Sequence, residues 1–457
     1  MALFEKKKAR PHKNSNTHAE AAVSNPYLDE LAAHYKARLL RETNLEALTS
    51  LAEGEKKLRI EQLVSQFMSE ERVVIPRQDK DSLLKRLINE SVGYGPLEPL
   101  LQDGDITEIL INGPSEVYIE KQGKLQPATV AFRDENHIRH VIDRIVAPLG
   151  RRIDESSPMV DARLPDGSRL NAVIPPISLK GTLVSIRKFR EEPFQMDDLL
   201  EYRTLDERMA LFLNAIVQAK LNILISGGTG SGKTTLLNVL GAAIPQGERI
   251  VTIEDSAELR LARPNVAGME ARPANVEGSG EVTIRQLVKN ALRMRPDRII
   301  VGEVRGAEAF DMLQAMNTGH EGSITTIHAN TPDDALRRVE GMVVMAEMEL
   351  PTHIVREYIV GALDFIVQGA RLSDGSRKIV SISEVLTDEK GRIKMNEIFA
   401  FKRTGVSENG DVEGYFTPTG IIPECLGRLK TFGITVDPEV FKSDGNGVNV
   451  HGGRRIV

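Results

Sequence analysis

The chain has 457 residues, 41% of them hydrophobic and 27% charged, with a net charge of −6. That length allows about three domains with cores of their own, and the composition is that of a globular protein rather than a fibrous or disordered one. The acidic balance argues against a general nucleic-acid binder, and a single cysteine, Cys425, excludes an intramolecular disulfide and a thiolate zinc cluster.

Cys425 reads as a small, partly buried side chain rather than a catalytic thiol. No stretch approaches the roughly 18 apolar residues that span a bilayer. Lys6-Lys-Lys-Ala-Arg10 is not followed by an apolar segment, so no secretory signal is expected. The expectation is a cytoplasmic protein that does not insert into a membrane and meets one only peripherally or through a partner.

Residues 1–25 are basic and then polar, and read as a disordered arm that either solubilises the chain or touches an anionic surface. Residues 26–91 read as a helical module. Ile60, Leu63, Val64, Phe67 and Met68 form one apolar stripe, and Leu83, Leu84, Leu87 and Ile88 repeat the spacing. Over 92–190 the pattern shifts to short strands at 106–111, 117–121, 159–164, 168–174 and 182–187, with an amphipathic helix around 135–149. Pro165-Asp-Gly167 between two of these runs predicts a hairpin. This segment reads as an α+β domain with a mostly antiparallel sheet. Residues 191–206 are charged and proline-interrupted, as a linker or hinge is.

From 207 to about 440 apolar runs alternate with helical stretches. The runs at 223–225, 250–253, 299–301 and 324–327 are short and rich in β-branched residues, as strands buried on both faces are. They predict a doubly wound, RecA-like α/β domain, with an added hairpin at 378–385 and 393–399 and a frayed tail within 441–457. Met342, Met345 and Met348 mark one edge of a helix, either as core or as a partner surface.

The decisive motif is Gly227-Gly-Thr-Gly-Ser-Gly-Lys233-Thr234, set between the run Leu221–Ile225 and a helix start. A glycine-rich loop between a buried strand and a helix lets backbone amides converge on phosphate. Gly228, Thr229, Gly230, Ser231, Gly232, Lys233, Thr234 and Thr235 are therefore the candidate binding residues for ATP or GTP, with the Thr234 hydroxyl a candidate Mg²⁺ ligand.

Hydrolysis needs more than this loop: a carboxylate near the metal, a group to activate water, and a cation for the developing charge. Arg298-Ile-Ile-Val-Gly-Glu303 ends a strand in an acid, where many P-loop ATPases place an Asp before the Glu and this chain has Gly302. Arg249-Ile-Val-Thr-Ile-Glu-Asp255 ends a second strand in Glu254 and Asp255. Strand ends of an open parallel sheet form its ligand edge, so both acids are expected near the loop, although a helix-capping or surface role for Glu254 and Asp255 is the alternative. His328 follows the fourth run as a phosphate sensor or a structural histidine, and His320 precedes it with the same two options. Arg163, Arg169 and Arg187, on or beside strands of the α+β segment, could pair with phosphate or simply be solvated.

Taken together, the motif at 227–234, Ile-Glu-Asp at 253–255, Val-Gly-Glu-Val-Arg-Gly at 301–306 and Thr-Gly-His-Glu-Gly-Ser…His-Ala-Asn at 318–330 resemble, in order and spacing, the motif set of the type II/type IV secretion ATPase superfamily. The stretch 150–171 and Ser185-Ile-Arg-Lys-Phe189 look most like the CpaF-like ATPases of Tad (Flp) pilus systems. The resemblance covers about residues 80–430. It implies a RecA-like domain preceded by a smaller, PAS-like α+β domain, and a homo-hexameric ATPase ring at the cytoplasmic face of a pilus or secretion apparatus, working on a polytopic inner-membrane platform protein. By motif position it implies Glu254 as general base, Glu303 as the acid near Mg²⁺, His328 as phosphate sensor, and Arg163, Arg169 and Arg187 as candidate arginine fingers. A RecA-type translocase driven by nucleic acid is the alternative reading.

Overall fold

The computed structural model describes residues 26–42, 53–91, 93–121, 123–189, 193–274, 279–346, 350–443 and 448–450. The basic arm at 1–25, Met348 and residues 451–457 lie outside them. The chain divides into two compact units, one ending at Lys188 and the other beginning at Phe189 apart from a short excursion at 122–124.

In the first unit α1 (Pro26–Glu42), α2 (Glu53–Glu70) and α3 (Arg77–Ser91) pack through the expected stripe. Ile60, Val64, Phe67 and Met68 share one core with Leu83, Leu87 and Ile88, to which α1 adds Leu31, Tyr35 and Leu39. After the short α4 (Glu98–Gln102) come β1 (Ile106–Asn112), β2 (Val117–Lys121), β3 (Lys124–Pro127), α5 (Glu135–Val146), β4 (Met159–Arg163), β5 (Arg169–Val173) and β6 (Leu183–Arg187). They form a six-stranded sheet in the order β3-β2-β1-β6-β5-β4. The pairings β2–β1, β1–β6, β6–β5 and β5–β4 are all antiparallel. α5 starts at Asp134, whose carboxylate accepts the His137 amide at 2.7 Å. It ends before the expected 149, because Pro148 has no N–H to continue the ladder and the chain tightens into a 3₁₀ turn at Ala147–Leu149. Pro165-Asp-Gly167 makes the β4–β5 turn, where the Asp166 carboxylate accepts the Ser168 amide at 2.8 Å. β3 was not expected, since all its residues are exposed and no apolar alternation marks it.

The second unit runs α6 (Met196–Glu201), α7 (Glu207–Gln218), β7 (Ile223–Gly227), α8 (Lys233–Ala242), β8 (Ile250–Glu254), β9 (Val266–Glu270), α9 (Ile284–Ala291), β10 (Arg298–Val301), α10 (Glu308–Asn317), β11 (Ile324–Ile327), α11 (Pro332–Met345), α12 (Thr352–Ala362), β12 (Phe365–Arg371), β13 (Arg377–Thr387), β14 (Ile393–Val406), β15 (Val412–Pro418), α13 (Leu426–Thr431) and β16 (Val448–Val450). One ten-stranded sheet has the order β16-β15-β14-β13-β12-β7-β11-β10-β8-β9. From β12 to β9 the pairing is parallel, and beyond β12 it is antiparallel. Side chains of the parallel strands alternate between two cores. Ile223, Ile225, Ile250, Ile300 and Ile324 join α7 and α8 on one face. Leu224, Val251, Ile253, Ile299, Val301 and Ile327 join α9 to α12 on the other. That double burial is the doubly wound arrangement expected of these runs.

Two boundaries differ from the expectation. Residues 194–206 belong to the second unit rather than to a free linker: Phe194, Leu199 and Leu205 are buried in its core, and Lys378 Nζ donates to Arg203 O at 2.6 Å. The tail is also partly built in, because Phe441 packs edge-on against Phe212 with ring centroids 5.3 Å apart and β16 pairs with β15. The added hairpin is larger than expected, a meander from β13 to β15. Burial pushes the Cys425 thiol well above its ordinary value, helped by the Glu384 carboxylate, so it stays protonated. Among the described residues no helix is long and apolar enough to cross a membrane.

At the amino edge of the parallel sheet the guanidinium of Arg298, fully buried, takes Glu248 in a fork, Nε to Oε2 at 2.6 Å and Nη2 to Oε1 at 3.1 Å. Its Nη1 donates to Val217 O at 2.6 Å, joining α7 to the sheet. Removing one member of a buried pair strands the other. Glu248→Ala is expected to cost about 3–5 kcal/mol, read as a lower urea midpoint for the second unit; an unchanged midpoint would show that the fork carries no stability.

Candidate nucleotide site

Parallel register sets the residues that follow the strands at one level. Ile253 pairs with Val301, Val301 with Thr325, and Ile327 with Ser226. Glu254 therefore stands beside Gly302, Gly302 beside Thr326, and His328 beside Gly227. The glycine-rich loop, both acid-bearing strand ends and His328 meet at the carboxyl edge of the sheet, where open α/β sheets bind ligands.

The loop leaves β7 at Gly227, where no side chain fits: a Cβ would lie 2.3 Å from Ser231 Oγ and 2.7 Å from Gly369 O on β12. Ser231 Oγ donates to Gly228 O at 2.9 Å, and Lys233 Nζ donates to Gly227 O and Gly228 O at 3.0 and 3.1 Å. The lysine ammonium thus rests on the carbonyls of its own loop. From the neighbouring hairpin Arg377 Nε donates to Gly230 O at 2.9 Å. Lys233, Thr234 and Thr235 open α8, whose first amides and dipole favour an anion at that end. Thr229 is exposed and Gly228, Gly230, Gly232, Thr234 and Thr235 are half-buried, so the loop is reachable from solvent.

Glu254 is 4% exposed, and its Oε2 accepts the amides of Glu258 and Leu259 at 2.7 and 3.0 Å. No helix follows β8, so this is not the helix cap that was the alternative for Glu254; the two amides belong to the coil after the strand and fix the carboxylate at the strand end. Gly302 now has a physical reason: a Cβ there would stand 3.1 Å from Glu254 Cγ. The side chain of Glu254 fills the space in which many P-loop ATPases hold an Asp on the neighbouring strand. Glu303 is held from both sides. Gly302 N donates to Ile253 O at 2.8 Å, Thr326 Oγ1 to Gly302 O at 2.7 Å, and Val304 N to Thr326 O at 2.9 Å. Its carboxylate takes Arg305, whose Nε and Nη2 donate to Oε2 at 3.0 and 2.6 Å, while Nη1 donates to Asp255 Oδ2 at 2.9 Å.

His328 Nε2 and the Thr229 hydroxyl lie 3.0 Å apart, tying the end of β11 to the loop. Behind it, the buried Gln368 on β12 donates to Ala329 O at 3.3 Å. His320 sits before β11, at the opposite edge of the sheet, and is not brought to the loop. Met342 is buried in the core, whereas Met345, at the end of α11, is 73% exposed.

The arginines of the first unit form a group of their own. Arg163 pairs with Arg169 across β4–β5, and Arg169 with Arg187 across β5–β6, so the three stand in one row on the sheet face away from α5. Arg187 also lies 4.0 Å from the carboxylate of Glu108 on β1.

The residues fit a nucleotide and its metal. Loop, lysine and helix start supply anion donors, while the Thr234 hydroxyl and Glu303 carboxylate are hard oxygen ligands of the kind Mg²⁺ takes. Among the described residues no three His, Cys, Asp or Glu side chains gather into a metal site. A bound Mg²⁺ would complete its shell from phosphate oxygens and water.

Sequence reading did not single out Arg305, Thr326, Gln368 or Arg377. Arg305 lies inside the motif at 301–306 and carried a local signal. Arg377, 147 residues from Gly230, carried none.

Burial holds the His328 pKa below its ordinary value, and the Lys233 ammonium adds to the effect. A histidine depressed in the folded state binds fewer protons there than when unfolded. Its contribution is present above the ordinary value near 6.5 and is lost as pH falls through that value toward the folded one. Acidification below about pH 6.5 is expected to destabilise the wild type more than His328→Gln, measured by urea unfolding across pH; parallel curves would show that His328 titrates normally.

The type II/IV secretion system protein family matches residues 90–410. A putative conjugal transfer protein of Mycobacterium tuberculosis (strain ATCC 25618 / H37Rv) is 39% identical over 332 residues, covering 71% of this chain and 93% of that protein. The type IV secretion system protein VirB11 of Bartonella henselae is 32% identical over 323 residues, covering 63% of this chain and 90% of its own length. Among solved structures, the VirB11 ATPase of the Brucella suis type IV secretion system is 30% identical, covers 63% of this chain and 94% of that one, and has a TM-score of 0.35. The pilus retraction motor PilT is 19% identical, with 66% and 80% covered and a TM-score of 0.44. With a family match over residues 90–410 and a 39%-identical relative aligned along nearly its whole length, the chain belongs to the type II/IV secretion system protein family.

Proposed function

We propose that the protein is a Mg²⁺-dependent ATPase that works as a homo-hexameric motor. It powers assembly or retraction of a Tad/Flp-type pilus, or a related secretion system, at the cytoplasmic face of the inner membrane. The observation that carries this reading is the convergence of the glycine-rich loop, Glu254, Glu303 and His328 at one sheet edge. The family supports the secretion role, and the resemblance of 150–171 and 185–189 to CpaF-like proteins favours the Tad/Flp branch.

The chemistry is transfer of the γ-phosphoryl group to water, giving ADP and phosphate. Loop amides and Lys233 hold the β- and γ-phosphates, and Lys233 exchanges its bonds to the loop carbonyls for bonds to phosphate oxygens. Glu254, fixed by the amides of Glu258 and Leu259, takes the proton of the attacking water. His328, neutral at pH 7, can read the γ-phosphate and report it to the loop through Thr229. A bound Mg²⁺, on Thr234, Glu303 and phosphate oxygens, would neutralise charge on the transferring group. The row Arg163, Arg169 and Arg187 supplies candidate fingers for the charge that develops on the phosphoryl oxygens.

The connector is the proposed hinge. The platform protein of the membrane complex is the element moved.

Glu254→Gln is expected to lower kcat about 10²- to 10⁴-fold while ADP binding is retained. Glu303→Gln is expected to abolish Mg²⁺-dependent turnover. Both are read by phosphate release, with mass measured in Mg²⁺-ATP. Undiminished turnover in both variants would refute the site, a monomer would refute the ring, and strong stimulation by DNA would favour a translocase. Rigidifying the connector just before Phe194 should abolish turnover and spare nucleotide binding; unchanged turnover would rule out this hinge.

A further inference from the structure

Arg305 has one guanidinium and two acidic partners. Its Nε and Nη2 both donate to Oε2 of Glu303, which occupies both lone pairs of that oxygen. Its Nη1 reaches Asp255 on the neighbouring strand at 2.9 Å. Glu303 and Asp255 end adjacent strands, and without a cation between them their charges would repel.

Mg²⁺ is small, demands near-ideal octahedral geometry and binds carboxylate oxygen at about 2.0–2.1 Å. Oε2 of Glu303 cannot meet that demand while it accepts two guanidinium bonds. Placing the ion on Oε1 instead would set a double positive charge a few ångströms from Arg305. Guanidinium and metal therefore exclude one another at Glu303.

The side chain of Arg305 is 62% exposed, so leaving its partners costs little. Its backbone is anchored separately, with the Arg305 amide donating to Glu308 Oε1 at 2.6 Å. The side chain can swing away without disturbing the loop that carries Glu303.

We propose that Arg305 is a positioning residue that stands in for the divalent cation, held on Glu303 and Asp255, and that its release sets the affinity of the site for Mg²⁺. The proposal rests on the nucleotide reading above. A site whose competent form is only partly populated binds with an affinity reduced by that fraction, so a largely parked arginine weakens Mg²⁺ binding in proportion.

The test is a calorimetric titration of Mg²⁺ into the full chain saturated with ADP, comparing wild type, Arg305→Gln and Asp255→Asn. Asp255 is an exposed side chain, which makes its variant safe for folding. If about nine-tenths of the wild type is parked, the Mg²⁺ midpoint falls about tenfold in Arg305→Gln, and about two- to threefold in Asp255→Asn. General damage to the site would raise the midpoint rather than lower it. Equal midpoints, or weaker Mg²⁺ binding in folded variants, would overturn the proposal. A wild type that binds no ADP would instead overturn the nucleotide reading on which it stands.

Discussion

Parallel pairing of strands buried on both faces is the constraint on which the rest of this site depends. β7, β8, β10 and β11 are short and entirely buried, and each donates alternate side chains to two cores. A slip of one residue would exchange every side chain between the two cores, so the register is fixed by packing. Once it is fixed, Glu254, Gly302, Thr326, His328 and Gly227 have no choice but to arrive together. The chemistry is then a matter of which residue types follow the strands.

The site keeps its charges satisfied by its own groups. Lys233 rests on loop carbonyls, Arg305 on two carboxylates, and Glu254 on two backbone amides. On the proposed function, Lys233 would trade carbonyl for phosphate oxygens, and the carboxylates would trade the guanidinium for a metal ion. The amides that hold Glu254, which is 4% exposed, belong to the coil just after β8.

Much of this was legible in the chain. The strands, the loop, Glu254, Glu303 and His328 carried local signals, because β-branched runs ending in acids or glycines are read within a few residues. The arginine row was only half legible: three strand arginines were visible, but that Arg163, Arg169 and Arg187 share one line needed the β4–β5–β6 register. Boundaries were less legible. The segment 194–206 looks like a linker by composition, yet Phe194, Leu199 and Leu205 find apolar partners far along the chain. β3 has no apolar alternation at all and exists because an edge was available to pair with.

The amino-acid sequence by itself determined most of the elements, the glycine-rich loop and the family, since each is written in contiguous residues with a fixed local geometry. Only the tertiary structure decided which strand lies beside which. It was the adjacency of β8 and β10 that gave Gly302 its meaning, by filling its space with Glu254. The same adjacency let Arg305 reach Asp255, 50 residues away. Local patterns hold no record of such pairings, which are settled by burying two apolar faces at once.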